Sequence, residues 1–199
     1  MTREIKQQYR NFSLPIESMD EYILEGYAAV FDVDTDLGYC TEAIAKNAFR
    51  ESIDGGADVR ALFNHNPDHV LARSKANTLV LSEDEHGLKV KILLDKENTF
   101  SANVFKMVKR GDVTQMSIGF FIESENHFFN SNKPHFIITK AELKDVSPVT
   151  FPAYTQTEIS ARGENDNILA SRLDLIKNYK TPDFEYRHRE ININRFFIE

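Results

Sequence analysis

The chain contains one cysteine, Cys40, in 199 residues. A lone thiol excludes an internal disulfide and fits a reducing compartment. The sequence also lacks Cys/His pairs at zinc-type spacing and a glycine-rich phosphate loop, so no metal and no other cofactor is expected. No run approaches the roughly 18 apolar residues of a membrane span. The opening MTREIKQQYRNFSL carries charge with no apolar stretch behind it, which argues against a signal peptide. Positive charge is in short supply: 24 Lys and Arg stand against 31 Asp and Glu, a net charge of -7. A general nucleic-acid binder needs the opposite balance. The G-x-S-x-G turn is missing, which removes the α/β-hydrolase route. No internal repeat or low-complexity segment is visible. A soluble cytoplasmic protein that binds neither nucleic acid nor membrane is expected.

What remains is ample material for a core. Apolar residues make up 41% of the chain and 15 are phenylalanine, enough for one domain plus a tail. Residues 1–20 read as a flexible N-terminal arm. YILEGYAAVFDV (22–33) reads as a strand that Gly26 bends. TEAIAKNAFRESID (41–54) carries Ile44, Ala48, Phe49 and Ile53 at helical spacing behind a Thr41 cap. VRALFNHNP (59–67) is a strand ending in a turn at Asn66-Pro67. NTLVLSEDEHGLKVKILLD (77–95) is a hairpin turning between Glu83 and Gly87. NTFSANVFKMVKRGD (98–112) is a capped amphipathic helix that Gly111 ends. VTQMSIGFFIES follows as a strand, residues 124–134 as an exposed turn, and 135–154 as two further strands. The order is mainly β with two helices (α+β) and no βαβ repeat, which suits a closed or nearly closed antiparallel barrel. After Arg162 the sequence turns polar, so we divide the chain into the arm, a domain over 21–162 and a polar tail over 163–199 that adds little to the core.

Three residues have the chemistry for acyl transfer: a hydroxyl nucleophile, a base to take its proton and a group to orient the base. Ser117 lies in QMSIGF, where alternation puts it with Gln115 and Gly119 on one face and Met116, Ile118 and Phe120 on the other. That turns the hydroxyl away from the deeper apolar side, toward a groove, with space beside Gly119 for a substrate backbone. His65 sits at a strand end in LFNHNP, and Asp145 lies in ELKDVSP. Each alone is more simply read as a structural residue: a small polar side chain in a sheet, a turn histidine, a solvated acid. Their value lies in the combination, since adjacent strands of a barrel bring distant positions together.

Five segments, in order, resemble the tailed-bacteriophage prohead maturation proteases, a capsid assembly family distantly akin to herpesvirus assemblin. They are EGYAAVFDV, TEAIAKNAFRESI, VRALFNHNPDHVLAR, GLKVKILLDKENTFSANVFKMVKRGDVTQMSIGF and ELKDVSPVTFPAY. The resemblance covers most of the first 162 residues. It implies an orthogonal antiparallel β-barrel of the herpesvirus-assemblin type with flanking helices. It also implies a serine endopeptidase that clips the scaffolding portion of the major capsid protein inside the prohead, and then itself. The family's nucleophile falls on Ser117 and its histidine on His65. The family acid, usually Glu, falls on Asp145, one methylene shorter. Herpesvirus relatives use a second histidine as the third member, for which His69 is the local candidate; Glu142 falls on the wrong strand face unless a bulge intervenes. Arg73 occupies a recurring basic position. The implied partners are the major capsid protein with its scaffolding domain, the portal, and further copies of this chain. The implied setting is the assembling prohead in the host cytoplasm, with the tail removed by self-cleavage or used as a scaffold tether. A non-enzymatic capsid-assembly barrel is the alternative reading, and an esterase built on the same three residues is another.

Overall fold

A long hairpin organises the chain. Strands β10 (Gln115–Phe129) and β11 (Pro134–Val149) pair antiparallel from Gln115↔Val149 to Phe129↔Pro134. The computed structural model describes residues 8–12, 17–19, 22–37, 40–129, 133–151, 172 and 175. The free edge of β10 is taken by β1 (Gln8–Phe12), antiparallel, with Asn11 opposite Ser117. The other edge of β11 carries two strands in succession, both parallel to it: β5 (Thr41–Ile44) along 135–138 and β6 (Arg60–Phe63) at 145–146. Between them the chain continues alongside β11. Ala141 N–H donates to Ala48 O (2.8 Å) and Leu143 N–H to Ser52 Oγ (3.0 Å), so the stretch of β11 without a strand neighbour still satisfies its backbone donors. β4 (Thr35–Asp36) pairs β5, and β7 (Asn66–Arg73) pairs β6.

A second sheet runs β2 (Glu17–Met19), β3 (Ile23–Val30), β9 (Gly87–Leu93) and β8 (Leu79–Glu83), all antiparallel. The core lies between the sheets. Met116, Ile118, Phe120 and Val146 of the first meet Leu24, Val90 and Ile92 of the second, all without solvent exposure. Helix α2 (Thr99–Arg110) closes one side with Val104, Phe105 and Val108. Asn98 caps it, its Oδ1 accepting from Phe100 N (2.9 Å) and Ser101 N (3.2 Å), and Gly111 ends it at φ 85°. Only an unhindered backbone adopts that conformation freely.

The mainly β content with few helices matches the sequence expectation, as do α2 and the hairpin of β8 and β9. Several expectations change. The strand pairings of the described residues form two sheets without closing into a barrel, and the sheet around β11 is mixed because β5 and β6 run parallel to it. The segment 41–54 is a strand followed by a short helix, α1 (Arg50–Asp54). Ile44, Ala48 and Phe49 of the stripe are buried and Ile53 partly so, but Asn47 at φ 64° breaks the helical path, and parallel pairing with β11 outweighs the helical spacing. Where a turn over 124–134 and two strands over 135–154 were expected, β10 runs on to Phe129 and β11 is one strand over Pro134–Val149, with 152–154 outside the described residues. The turn expected at Asn66-Pro67 falls two residues earlier, at Asn64-His65. In β3 the irregularity lies between Tyr27 and Ala29 instead of at Gly26. Residues 8–12 and 17–19, inside the segment read as an arm, are strands.

Candidate active site

Hairpin β6–β7 delivers His65. Phe63 pairs Asn66, leaving Asn64 and His65 as the two turn residues, at φ 54° and 55°. Two consecutive positive φ values are what a tight hairpin matched to sheet twist demands. Asn and His enter that region more readily than most non-glycine residues, yet each still does so at a cost in backbone strain. The surroundings hold the turn in place. Asn64 N–H donates to Pro148 O (3.0 Å), its Nδ2 to Thr150 Oγ1 (3.1 Å), and its Oδ1 accepts from Thr150 N (2.8 Å). The hairpin tip is thus clasped to the end of β11.

The β10–β11 register supplies the other two groups. Ser117 lies opposite Ser147, and Gly119 opposite Asp145. Paired residues share a face, so Ser117, Asp145 and Ser147 project to one side. The imidazole of His65 fits between them: Nε2 lies 2.5 Å from Ser117 Oγ, and Nδ1 lies 2.5 Å from Asp145 Oδ1. A carboxylate only accepts, so in the neutral ring Nδ1–H donates to Asp145 and Nε2 accepts the Ser117 hydroxyl proton. Ser147 Oγ, fully buried, donates to the same Asp145 oxygen at 2.9 Å. Ser117 has no solvent exposure, whereas the His65 side chain is 19% exposed. His65 borders an open depression of 320 Å³ with Asn64, Val149, Thr150 and Phe151. The groove expected directly over Ser117 is therefore covered in this conformation.

The remaining candidates lie elsewhere. His69, in β7, stacks on Phe100 at the start of α2 (centroids 4.5 Å apart), and Phe63 meets the same ring edge-on at 6.0 Å. His69 thus braces the hairpin that carries His65. The bulge that would let Glu142 change face is present between Leu143 and Asp145, but Glu142 pairs with Lys144. Arg73 forms a two-point bond to Asp58 (2.7 and 2.6 Å). That bond, with Arg60 beside it, holds the Asp58 carboxyl at about 2. Among the described residues no cluster of three or more His, Cys, Asp or Glu side chains could hold a metal ion, and no helix is long and apolar enough to cross a membrane.

Sequence reasoning missed Ser147 and the Asn64 clasp. Ser147 was findable, because two residues past Asp145 on a strand means the same face. The clasp was not, since an Asn-His turn lacks the Asn-Gly signature of such hairpins.

Known proteins resemble this chain in both sequence and fold. The chain is 30% identical over 149 residues to the prohead protease of Enterobacteria phage HK97, covering 73% of this chain and 62% of that protein. It therefore spans less than two thirds of that relative's length. Its fold is similar to the structure of the bacteriophage T4 capsid assembly protease, with a TM-score of 0.51 at 10% identity, covering 75% of this chain and all of the other. The sequence profile of the caudovirus prohead serine proteases matches residues 11–170, and the chain belongs to that family.

Proposed function

We propose that this protein is a serine endopeptidase in which Ser117 is the nucleophile, His65 the general base and Asp145 the group that orients it. The observation that carries the reading is the continuous hydrogen-bonded line from Ser117 Oγ through the imidazole to a buried carboxylate. His65 Nε2 takes the hydroxyl proton as Ser117 attacks the scissile carbonyl, then passes it to the leaving amine. Asp145 holds the ring in the productive tautomer and offsets the charge of the imidazolium. Ser147 fixes the carboxylate in turn, since its hydroxyl occupies the oxygen that faces the ring.

The substrate is the scaffolding portion of the major capsid protein, cut within the prohead in the host cytoplasm; self-cleavage follows. Contact with capsid proteins, with the portal and with other copies of this chain belongs to the same reading. So does completion of the two sheets as an orthogonal barrel of the assemblin type, for which the shared core between them speaks. The protease domain of this reading takes in β1, β2 and the buried Arg172, beyond the 21–162 bounds read from the sequence. The test is co-expression with a capsid precursor. The wild-type chain should shorten the precursor at a defined site and Ser117→Ala should not. Shortening by Ser117→Ala would end the proposal.

A further inference from the structure

We infer that the β10 edge from Met116 to Phe120 is the docking site for the extended substrate strand, and that β1 is its intramolecular occupant. This rests on the reading of Ser117 as nucleophile. The nucleophile strand has two edges. One is committed to β11, which must stay because it brings Asp145 to His65. The other is covered by five residues of β1, in register from Gln8↔Phe120 to Phe12↔Met116, with Asn11 opposite Ser117.

Proteins that take extended peptides commonly pair them to a sheet edge, where main-chain hydrogen bonds supply affinity and alternate side chains supply specificity. Strand pairing sets directly opposed Cα atoms about 4.5–5.5 Å apart. A peptide in the place of β1 therefore has its backbone beside Ser117, within reach of the roughly 3–3.5 Å approach that attack requires. Asn11 holds that position in this structure, and Ser117 has no solvent exposure. A substrate strand and β1 cannot share the edge, so β1 must lift before cleavage. Activity then scales with the fraction of molecules whose edge is open. The site selects an extended polypeptide segment, at least five residues long, free of proline where it pairs.

The test uses the full chain carrying Arg10→Pro together with Asn11→Pro. Successive residues of an edge strand point their N–H groups alternately toward and away from the neighbour, so two consecutive prolines remove at least one ladder donor whatever the phase. A fluorophosphonate serine probe is timed on Ser117 in both chains. Labelling in the variant is expected to be about tenfold faster or more, the factor by which an edge closed nine-tenths of the time lowers apparent reactivity. Equal or slower labelling in a folded variant overturns the inference alone. No labelling in either chain overturns the nucleophile reading, and the inference with it. If the variant does not fold, hydrogen exchange on the wild type decides. Residues 8–12 should exchange at least tenfold faster than 142–149, because β1 must open while β10 and β11 stay paired. Equal protection of the two segments overturns the inference.

Discussion

The two ends of the β10–β11 hairpin each bury a polar network, and they differ in kind. At one end Ser117, His65, Asp145 and Ser147 form a chain of hydrogen bonds with one member reaching solvent. About 26 Å away along the strand, at 3.3 Å per residue, Arg172 lies fully buried between two carboxylates. Its Nη1 donates to Glu42 Oε2 at 2.9 Å, its Nε to both Glu125 oxygens at 3.1 Å, and its guanidinium lies 4.3 Å from the Phe136 ring centroid. Burial alone would lower the guanidinium's proton affinity; the hydrogen bonds and charges of Glu125 and Glu42 outweigh it and hold the group above its ordinary range. A guanidinium never gives up its proton in a protein, so this second network cannot move one. It binds a residue beyond 162, from the segment expected to add little to the core, into the interior. An imidazole between a hydroxyl and a carboxylate can move a proton, and on that contrast the proposed active site rests.

The largest expected effect breaks the first network and leaves the second intact. Ser117→Ala should lower the rate of scaffold cleavage on the order of 10⁶-fold, as loss of a serine nucleophile does elsewhere, with a melting temperature near that of the wild type. A cleavage rate within tenfold of normal would contradict the nucleophile assignment. Asp145→Asn comes next. It keeps the size but replaces the acceptor that fixes the tautomer, and should slow the chemical step about 10⁴-fold, whereas Asp145→Glu should retain substantial activity. His69→Ala is the control: it removes a ring stacked on Phe100 and should change rates less than tenfold. If His69→Ala is crippled and Asp145→Asn is near normal, the third member is a histidine.

The reciprocal experiment breaks the second network. Arg172→Ala leaves Glu42 and Glu125 without their cation, a change that destabilises by about 3–5 kcal/mol when a buried pair loses one partner. Denaturant unfolding should register that loss, while active-site labelling per folded molecule stays constant. Truncation after Arg162 removes the same guanidinium and should match it. Replacing all three charges by Met and Leu should recover much of the stability; no recovery would show that Arg172 acts through something other than charge balance. Ser147→Ala, removing one hydroxyl from Asp145, should cost about tenfold in kcat, in keeping with roughly 1.5 kcal/mol for a hydrogen bond to a charged group.

The smallest effect concerns an exposed pair. Asp58, held at about 2 by Arg73 and Arg60, ionises more readily folded than unfolded. Its stabilising contribution is complete above an unfolded value near 4 and fades as pH falls toward about 2. The melting-temperature gap between wild type and Asp58→Asn should be flat from pH 7 to about 4 and close below that. A gap that widens on acidification would reverse the sign.

Much of this protein was legible in its sequence where the signal is local. Strand alternation, the Asn98 and Gly111 caps and the hairpin turn between Glu83 and Gly87 depend on neighbours within a few residues. The candidate site residues were legible because Ser117, His65 and Asp145 each sit in a short motif. Tertiary structure decided the rest, because it turned on which distant segments pair. Residues 41–44 became a strand when β11 offered an edge that helical spacing could not foresee. The turn at Asn64-His65 took strained backbone because Thr150 and Pro148 hold it. Arg172 reads in sequence as one more charge in a polar stretch; only the fold places Glu42, Glu125 and Phe136 around it, and burial makes those charges matter. β1 reads as part of an arm until the vacant edge of β10 gives its backbone a partner.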